Sequence, residues 1–332
     1  MELTPEVRPI VHIGVHKTAT SWFQKKVYPT AASHRAIDRA RVREALIEPR
    51  AFAFDPDVSR ALLAQGDDGR PHLLCEEDLS GVLHIGRASG FIAREIAARI
   101  QLLYPEAQIV LFVRAQPAIA VSSYQEYVRE GGTRSLKRYL FPDAFLAFQK
   151  FRPFKLPRFD FAQFDYRGLI EHYDSLFGRE NVHLFAYERL ASDPQALLGE
   201  LGRRLQIELD PAAISWTRVN PSYRGALIPF ARALNLFTAR SVADKRTLIH
   251  VPLSYPLRKE LIAGLNRLPV WGPPPALDPG TIAWIAARFG ESNRWLADRM
   301  GIDLAALGYP TEPPREPVPD PVRARLPQWL RL

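Results

Sequence analysis

Nine residues near the N-terminus, Gly14-Val15-His16-Lys17-Thr18-Ala19-Thr20-Ser21-Trp22, combine the groups that hold an anion. A glycine lets the chain turn tightly, a lysine supplies charge, and hydroxyls follow at Thr18, Thr20 and Ser21. The first amides of a helix have no intrahelical partner and, with the helix dipole, attract phosphate or sulfate. The run has the makeup of a phosphate cradle without the G-x-x-x-x-G-K-[ST] spacing of an NTPase loop. The same residues would also serve as an ordinary turn and helix cap. A second group pairs Arg114 with Ser122, eight residues later, so that an arginine and a helix hydroxyl could meet on one phosphate. Read singly, the arginine could as well end in a salt bridge and the serine in packing. A third group, Glu76-Glu77-Asp78, sets three consecutive acids in a chain of net charge +8. A carboxylate there with a raised pKa or preset geometry can take a proton from a hydroxyl.

The elements needed to position these groups are legible in the hydrophobic pattern. Pro9–Gly14 reads as a buried strand, and Thr20–Tyr28 as a helix stopped by Pro29. His72–Glu76 reads as a second strand, Ser89–Tyr104 as an amphipathic helix and Gln108–Val113 as a third, strongly apolar strand. Pro117–Glu130 reads as a helix with proline in its first turn and Gly131-Gly132 beyond its end. A helix over Tyr166–Phe177 and a strand over Asn181–Ala186 make a fourth unit. This alternation predicts an α/β fold with a parallel central sheet flanked by helices. Ligands of such sheets bind outside the carboxyl ends of the strands, where the loop at Lys17, the acids at 76–78 and Arg114 all fall. Beyond residue 207 the pattern is mostly helical. Residues 1–308 read as one domain, and 309–332 as a proline-rich tail whose Trp329 and Leu330 could dock on the body or on a second copy in a homo-oligomer.

Composition excludes several classes. Hydrophobic residues at 47% and charged residues at 24% describe a globular chain rather than a disordered or fibrous one. A single cysteine, Cys75, excludes a disulfide framework and multi-cysteine metal sites, and it reads as a small buried hydrophobe. The opening MELTPEVRP lacks the apolar core of a secretory signal, and no run approaches the ~18 apolar residues of a membrane span, so a cytoplasmic location is expected. Of the 44 basic residues only eight are lysine, and arginine is the residue that binds phosphate, sulfate and carboxylate bidentately. The basic residues are interspersed with acids, without the clustered face of a nucleic-acid binder. The stretch 133–164 mixes aromatics with Arg134, Lys137, Arg138, Lys150, Arg152, Lys155 and Arg158. It reads either as an insertion forming the site of an acceptor substrate, its aromatics stacking on sugar rings or acyl chains and its basic residues attracting an anionic acceptor, or as a helical cap whose aromatics fill a core.

Taken together, the motifs resemble those of the sulfotransferases that use 3′-phosphoadenosine 5′-phosphosulfate (PAPS). GVHKTATSWFQ is similar to that family's 5′-phosphosulfate loop. RAQPAIAVSSY is similar to its 3′-phosphate motif, and ENVHLFAYERLASDP to its fourth-strand signature, in the same order. The resemblance spans roughly residues 8–240. It departs from the family at Ala19, where glycine is common, and at Gln116, an extra residue before the proline. It implies a P-loop-containing, sulfotransferase-like fold in which Lys17, Thr18, Ala19, Thr20 and Ser21 hold the 5′-phosphosulfate, and Arg114 and Ser122 the 3′-phosphate. A late loop, Asn220-Pro221-Ser222-Tyr223-Arg224-Gly225, would close on the nucleotide, with Tyr223 on adenine and Arg224 at the 3′-phosphate; otherwise it is a turn before a helix at Ala226–Phe237.

The reaction so implied moves a sulfuryl group in line from PAPS to an acceptor hydroxyl of a carbohydrate, lipid or small metabolite, leaving 3′,5′-adenosine bisphosphate. It needs positioning and charge stabilisation and no metal. Lys17 would neutralise the leaving oxygen. Glu77 is the first choice of base and Glu76 the second, while His16 would touch the acceptor or the sulfuryl oxygens or merely pack. The same acids could instead cap the next helix or pair with Arg87. Two rival readings are an ATP-dependent P-loop kinase, disfavoured by the missing glycine before Lys17, and a non-catalytic anion-binding protein on the same fold.

Overall fold

The computed structural model describes residues 7–86, 88–142, 158–217, 222–238, 248–249 and 251–314. These divide into two compact units, each assembled from separate stretches of chain. The first takes Met1–Val82, Ser89–Arg114 and Tyr166–Val219, and the second Leu83–Ala88, Ala115–Asp165 and Asn220–Leu332.

The first unit is built on a parallel sheet of five strands in the order β2-β3-β1-β4-β5. The strands are β1 (Ile10–Gly14), β2 (Arg35–Ala36), β3 (His72–Cys75), β4 (Gln108–Val113) and β5 (Val182–Ala186). β1 is central, paired with β3 on one side and β4 on the other. Its carboxyl end is therefore a point where the chain turns to opposite sides of the sheet. Strands covered on both faces should be apolar throughout, and β4, QIVLFV, is buried at every position. On one face Ile10, Leu73, Cys75, Val110, Phe112 and Phe185 pack with Trp22, Phe23, Val27 and Tyr28 and with the leucines of helix Pro194–Leu205. Helix Tyr166–Phe177 packs against β4 and β5.

The element boundaries shift from the sequence expectation by a residue or so, with two substantive differences. β2 is two residues long, too short to carry a periodic signal. The first helix, α1, is α-helical only over Thr20–Trp22 and then widens to a π-helix over Phe23–Val27 before a 3-10 turn at Tyr28–Thr30. Two ties set its course: the Trp22 indole donates to the Ser215 carbonyl at 2.9 Å, and Gln24 donates to the Cys75 carbonyl at 2.8 Å.

His12 is fully buried beneath this helix, 2.7 Å from the Tyr28 hydroxyl and edge-on to Phe23. Burial pushes its pKa down to about 3, so it is a neutral core residue. Cys75 is buried in the same core, and burial pushes its thiol pKa well up.

The second unit is mostly helical. It contains helices Gln116–Arg129, Leu136–Leu140, Leu227–Leu234, Ser254–Leu265 and Pro279–Met300. The described aromatics of the 133–164 stretch form a core here: Tyr139 lies 4.8 Å from Phe159, Phe159 4.9 Å from Phe161, and Phe141 5.0 Å from Trp284. Lys150, Arg152 and Lys155 lie outside the described residues, as do Arg87, Asn220, Pro221 and the tail from 315 onward. No helix among the described residues is long and apolar enough to cross a membrane.

Candidate active site

The loop after β1 has an unusual backbone. The β1–β4 register shifts between His12 and Gly14, and Gly14 has φ 88°. A Cβ built on Gly14 would lie 2.8 Å from the Glu77 Cα, so only glycine lets the two segments approach so closely. Two non-glycine residues then take left-handed backbone, Lys17 and Ala19, both with φ 67°. Alternating left- and right-handed residues turn successive amides toward one concavity that suits an anion. No side chain caps the helix that begins at Thr20, and Ala19 stands at its N-cap. The Thr18 hydroxyl donates back to the Val15 carbonyl at 2.5 Å, bracing the loop from within. The Thr20 hydroxyl oxygen is buried and has no hydrogen-bond partner. An orphaned hydroxyl at this depth costs free energy unless a ligand uses it.

The left-handed conformation of Ala19 yields a prediction. Replacing it by glycine removes a steric cost of about 1 kcal/mol. Ala19→Gly should raise the urea midpoint at unchanged m-value. A lowered midpoint would mean that the loop does not hold this conformation in solution.

Arg114, at the end of β4, holds the loop from the other side. Its guanidinium donates to the Lys17 carbonyl at 2.7 Å and stacks 4.4 Å from the Tyr187 ring centroid. The Tyr166 hydroxyl donates to the Arg114 carbonyl at 2.6 Å. The Arg114 Nε is buried with no hydrogen-bond partner. The arginine picked out as a phosphate ligand thus fixes the backbone that would hold the other end of the ligand.

The three acids separate into different roles. Glu76 is completely buried and forms a fork with Arg39, and it also accepts from the Asp78 amide as cap of the short 3-10 turn Glu77–Ser80. Asp78 lies 3.3 Å from Arg43 and 3.4 Å from the His16 Nε2. Glu77 accepts from Arg39 at 3.0 Å through Oε1, while its Oε2 is buried without a partner. Burial raises the Glu77 pKa, and the neighbouring Glu76 charge adds to the rise, partly offset by Arg39 and His16. One acid therefore combines a raised pKa, an unused oxygen and a position against the start of the loop after β1. His16 donates from Nε2 to the Gly81 carbonyl at 2.7 Å and so ties the loop to the acidic turn.

Arg39, Arg43, Tyr166 and Tyr187 complete this arrangement; of these only Tyr187 lies in a motif legible in the sequence, the run ENVHLFAYERLASDP. Arg39 and Arg43 are one turn apart on helix Arg39–Leu46, a spacing that puts both on one face. Three adjacent acids called for partners, but more than thirty arginines offered no way to choose between them.

The remaining candidates belong to the second unit. Ser122 is half-buried on helix Gln116–Arg129. Tyr223 is buried, its amide donating to Gln125 at 3.0 Å and its ring facing Arg129. Arg224 donates through its backbone amide and its Nε to Asn266 and through its guanidinium to the Gly272 carbonyl, and the Gly225 amide donates to the Pro273 carbonyl at 2.8 Å. These three positions are engaged by their own unit.

No family model and no curated protein matches the sequence. Among solved structures, a sulfotransferase from Alicyclobacillus acidocaldarius superposes with TM-score 0.53 at 17% identity, covering 90% of this chain and 98% of that one. The fold is sulfotransferase-like. Two further matches are more distant. The sulfotransferase domain from the curacin biosynthetic pathway gives 0.39 at 14% identity, covering 78% of this chain and 97% of that one. Mouse sulfotransferase SULT7A1 complexed with PAP gives 0.42 at 12% identity, covering 91% and 89%. The likeness is one of fold.

Proposed function

We propose that the chain transfers a sulfuryl group from PAPS to an acceptor hydroxyl. The observation that carries this is the pairing, within one unit, of an anion cradle with a proton acceptor. The cradle is the left-handed turn at Lys17 and Ala19 with the orphaned Thr20 hydroxyl. The acceptor is Glu77, pressed against Gly14 with one oxygen unused.

The residues present fit a phosphosulfate. Its oxygens are acceptors only, and the buried Thr20 hydroxyl, the uncapped helix amides and the Lys17 ammonium are all donors. The bound donor supplies an electron-poor sulfuryl group and a phosphate able to leave with the bond's electrons. Lys17 and the loop amides stabilise the charge that develops on that departing oxygen. Glu77 Oε2 takes the proton of the acceptor hydroxyl as its oxygen attacks, and Arg39 holds the carboxylate in place through Oε1. Glu76, with its oxygens committed to Arg39 and to the Asp78 amide, fixes Arg39 and the turn that carries Glu77. The proposal rests on the first unit alone.

The test is a thermal shift of the full chain with 3′,5′-adenosine bisphosphate, run beside ATP-magnesium and AMP. A ligand at ~100 times its dissociation constant adds about 2.7 kcal/mol, worth several degrees. A shift with the bisphosphate alone is expected. A shift with ATP-magnesium alone would favour a kinase, and a shift with none would favour a non-catalytic protein.

A further inference from the structure

Of the seventeen large apolar side chains that stand exposed among the described residues, ten fall between Phe230 and Val270, in the second unit. Helix Ser254–Leu265 carries the densest part. Leu253, Leu257 and Leu261, four residues apart, form one stripe along it, exposed by 74%, 71% and 47%. Its other side grips the unit: Ile262 is fully buried, and buried Arg258 donates to the carbonyls of Val128 and Arg129. A surface helix ordinarily turns its apolar stripe inward, whereas this one also keeps a leucine stripe outside.

The chain leading into the helix extends the same surface. The Leu248 amide donates to the Leu236 carbonyl at 2.8 Å, and the Val251 amide and the Ser254 hydroxyl donate to the Phe237 carbonyl, each at 3.1 Å. Exposed Phe237, Leu248 and Val251 are thereby fixed beside the start of the helix. Leu253, at the N-cap, has φ 61°. Left-handed backbone disfavours a bulky side chain, and water disfavours an exposed leucine. Leucine is thus unfavourable twice over at a position that glycine would occupy without strain. An apolar patch kept at such a cost marks a surface that meets something apolar.

The charge around the stripe selects the partner. Residues 222–272 carry eight Lys or Arg against two Asp or Glu, which is +6 of the chain's +8. Lys259 and Arg267 are exposed near the stripe, as is Glu260 on the acidic side of the balance. Arg224, Arg232 and Arg258 donate to the carbonyls of Gly272, Thr133 and Val128, which are neutral and leave the charge uncancelled in the field of the surface.

We propose that this face lies on a membrane surface containing anionic phospholipid. The leucines enter the boundary of the acyl chains, and the positive field is drawn to the headgroups. The helix lies on the bilayer and does not span it, in keeping with its length and with the lack of a spanning helix among the described residues. A second copy of the chain would bring a surface of the same sign against this one. The segment 315–332, with four arginines against two acids, is positive as well. Neither is complementary in charge, whereas an anionic bilayer is. The inference is separate from the transfer reading, because it concerns the second unit alone and its probe contains no nucleotide.

The test is flotation of the full chain with vesicles of equal parts phosphatidylglycerol and phosphatidylcholine, beside vesicles of phosphatidylcholine alone. Binding to the mixed vesicles, at least about tenfold tighter than to phosphatidylcholine and weakened by salt, is expected. Leu257→Ser and Leu253→Gly should each weaken it about tenfold without a large drop in melting temperature, and Leu253→Gly should raise that temperature. Leu102→Ser, at an exposed leucine of the first unit, should leave binding within twofold. No flotation with the mixed vesicles would overturn the proposal, as would equal binding to the two vesicles or an equal loss from Leu102→Ser. A dimer in sedimentation velocity that Leu257→Ser disperses, with no flotation, would assign the face to a second copy. A large drop in melting temperature in both stripe variants would assign it to another part of the chain. Either result overturns the proposal.

Discussion

Glu77→Gln lowers turnover at least ~100-fold and leaves the affinity for 3′,5′-adenosine bisphosphate unchanged, because a general base contributes to proton transfer and not to holding the nucleotide. The same substitution should stabilise the protein at neutral pH. Burial raises the Glu77 pKa in the folded state, so folding disfavours the charged carboxylate. A glutamate raised in this way has full stability below its unfolded pKa and loses it as pH rises through the folded value. Glutamine carries no such penalty, so the stability gap over wild type should open above about pH 4.3 and close below it. Wild-type rate should rise with pH through the raised pKa and then level, and the variant should lack that limb. Stability against pH, from urea melts, and rate against pH check the two halves independently. Turnover close to wild type would remove Glu77 as the base, whatever its pKa.

Lys17→Ala also lowers turnover at least ~100-fold, for a different reason. In the proposed reaction the lysine would oppose the charge that grows on the departing phosphate oxygen, and donors aimed at developing charge are commonly worth that much. The loop should survive the change. Arg114 grips the carbonyl of residue 17 and not its side chain, and the Thr18 hydroxyl braces Val15. An unaltered melting temperature together with the rate loss would place the effect in the charge. A large drop in melting temperature would mean that the side chain supports the fold, and would remove the case for Lys17 as the stabiliser. The expected split also differs from that of Glu77→Gln: Lys17→Ala should weaken bisphosphate binding, since the 5′-phosphate shares the same cradle.

The sheet was legible because β1, β3, β4 and β5 are buried on both faces and must be apolar, while turn residues separate them. β2 escaped notice because two residues carry no period, and the π-helical stretch Phe23–Val27 because helical periodicity does not distinguish it from an α-helix. The loop after β1 was legible in its residue types. Its working geometry was not, since left-handed backbone at Lys17 and Ala19 is against the preference of both residues and is imposed by the contacts of Gly14 and Arg114. The acids at 76–78 stood out by charge, but their division of labour depends on Arg39 and Arg43, which reach them from a segment more than thirty residues away. Side chains brought together across such distances leave no local trace in the sequence.

We propose that the β1 loop is a phosphosulfate cradle with Glu77 beside it. A crystal structure of the full chain with 3′,5′-adenosine bisphosphate tests it most directly. The 5′-phosphate is expected within about 2.7–3.2 Å of the Thr20 hydroxyl and the loop amides, with the Lys17 ammonium against it. A bisphosphate bound elsewhere, with the Thr20 hydroxyl still unpartnered, would contradict it.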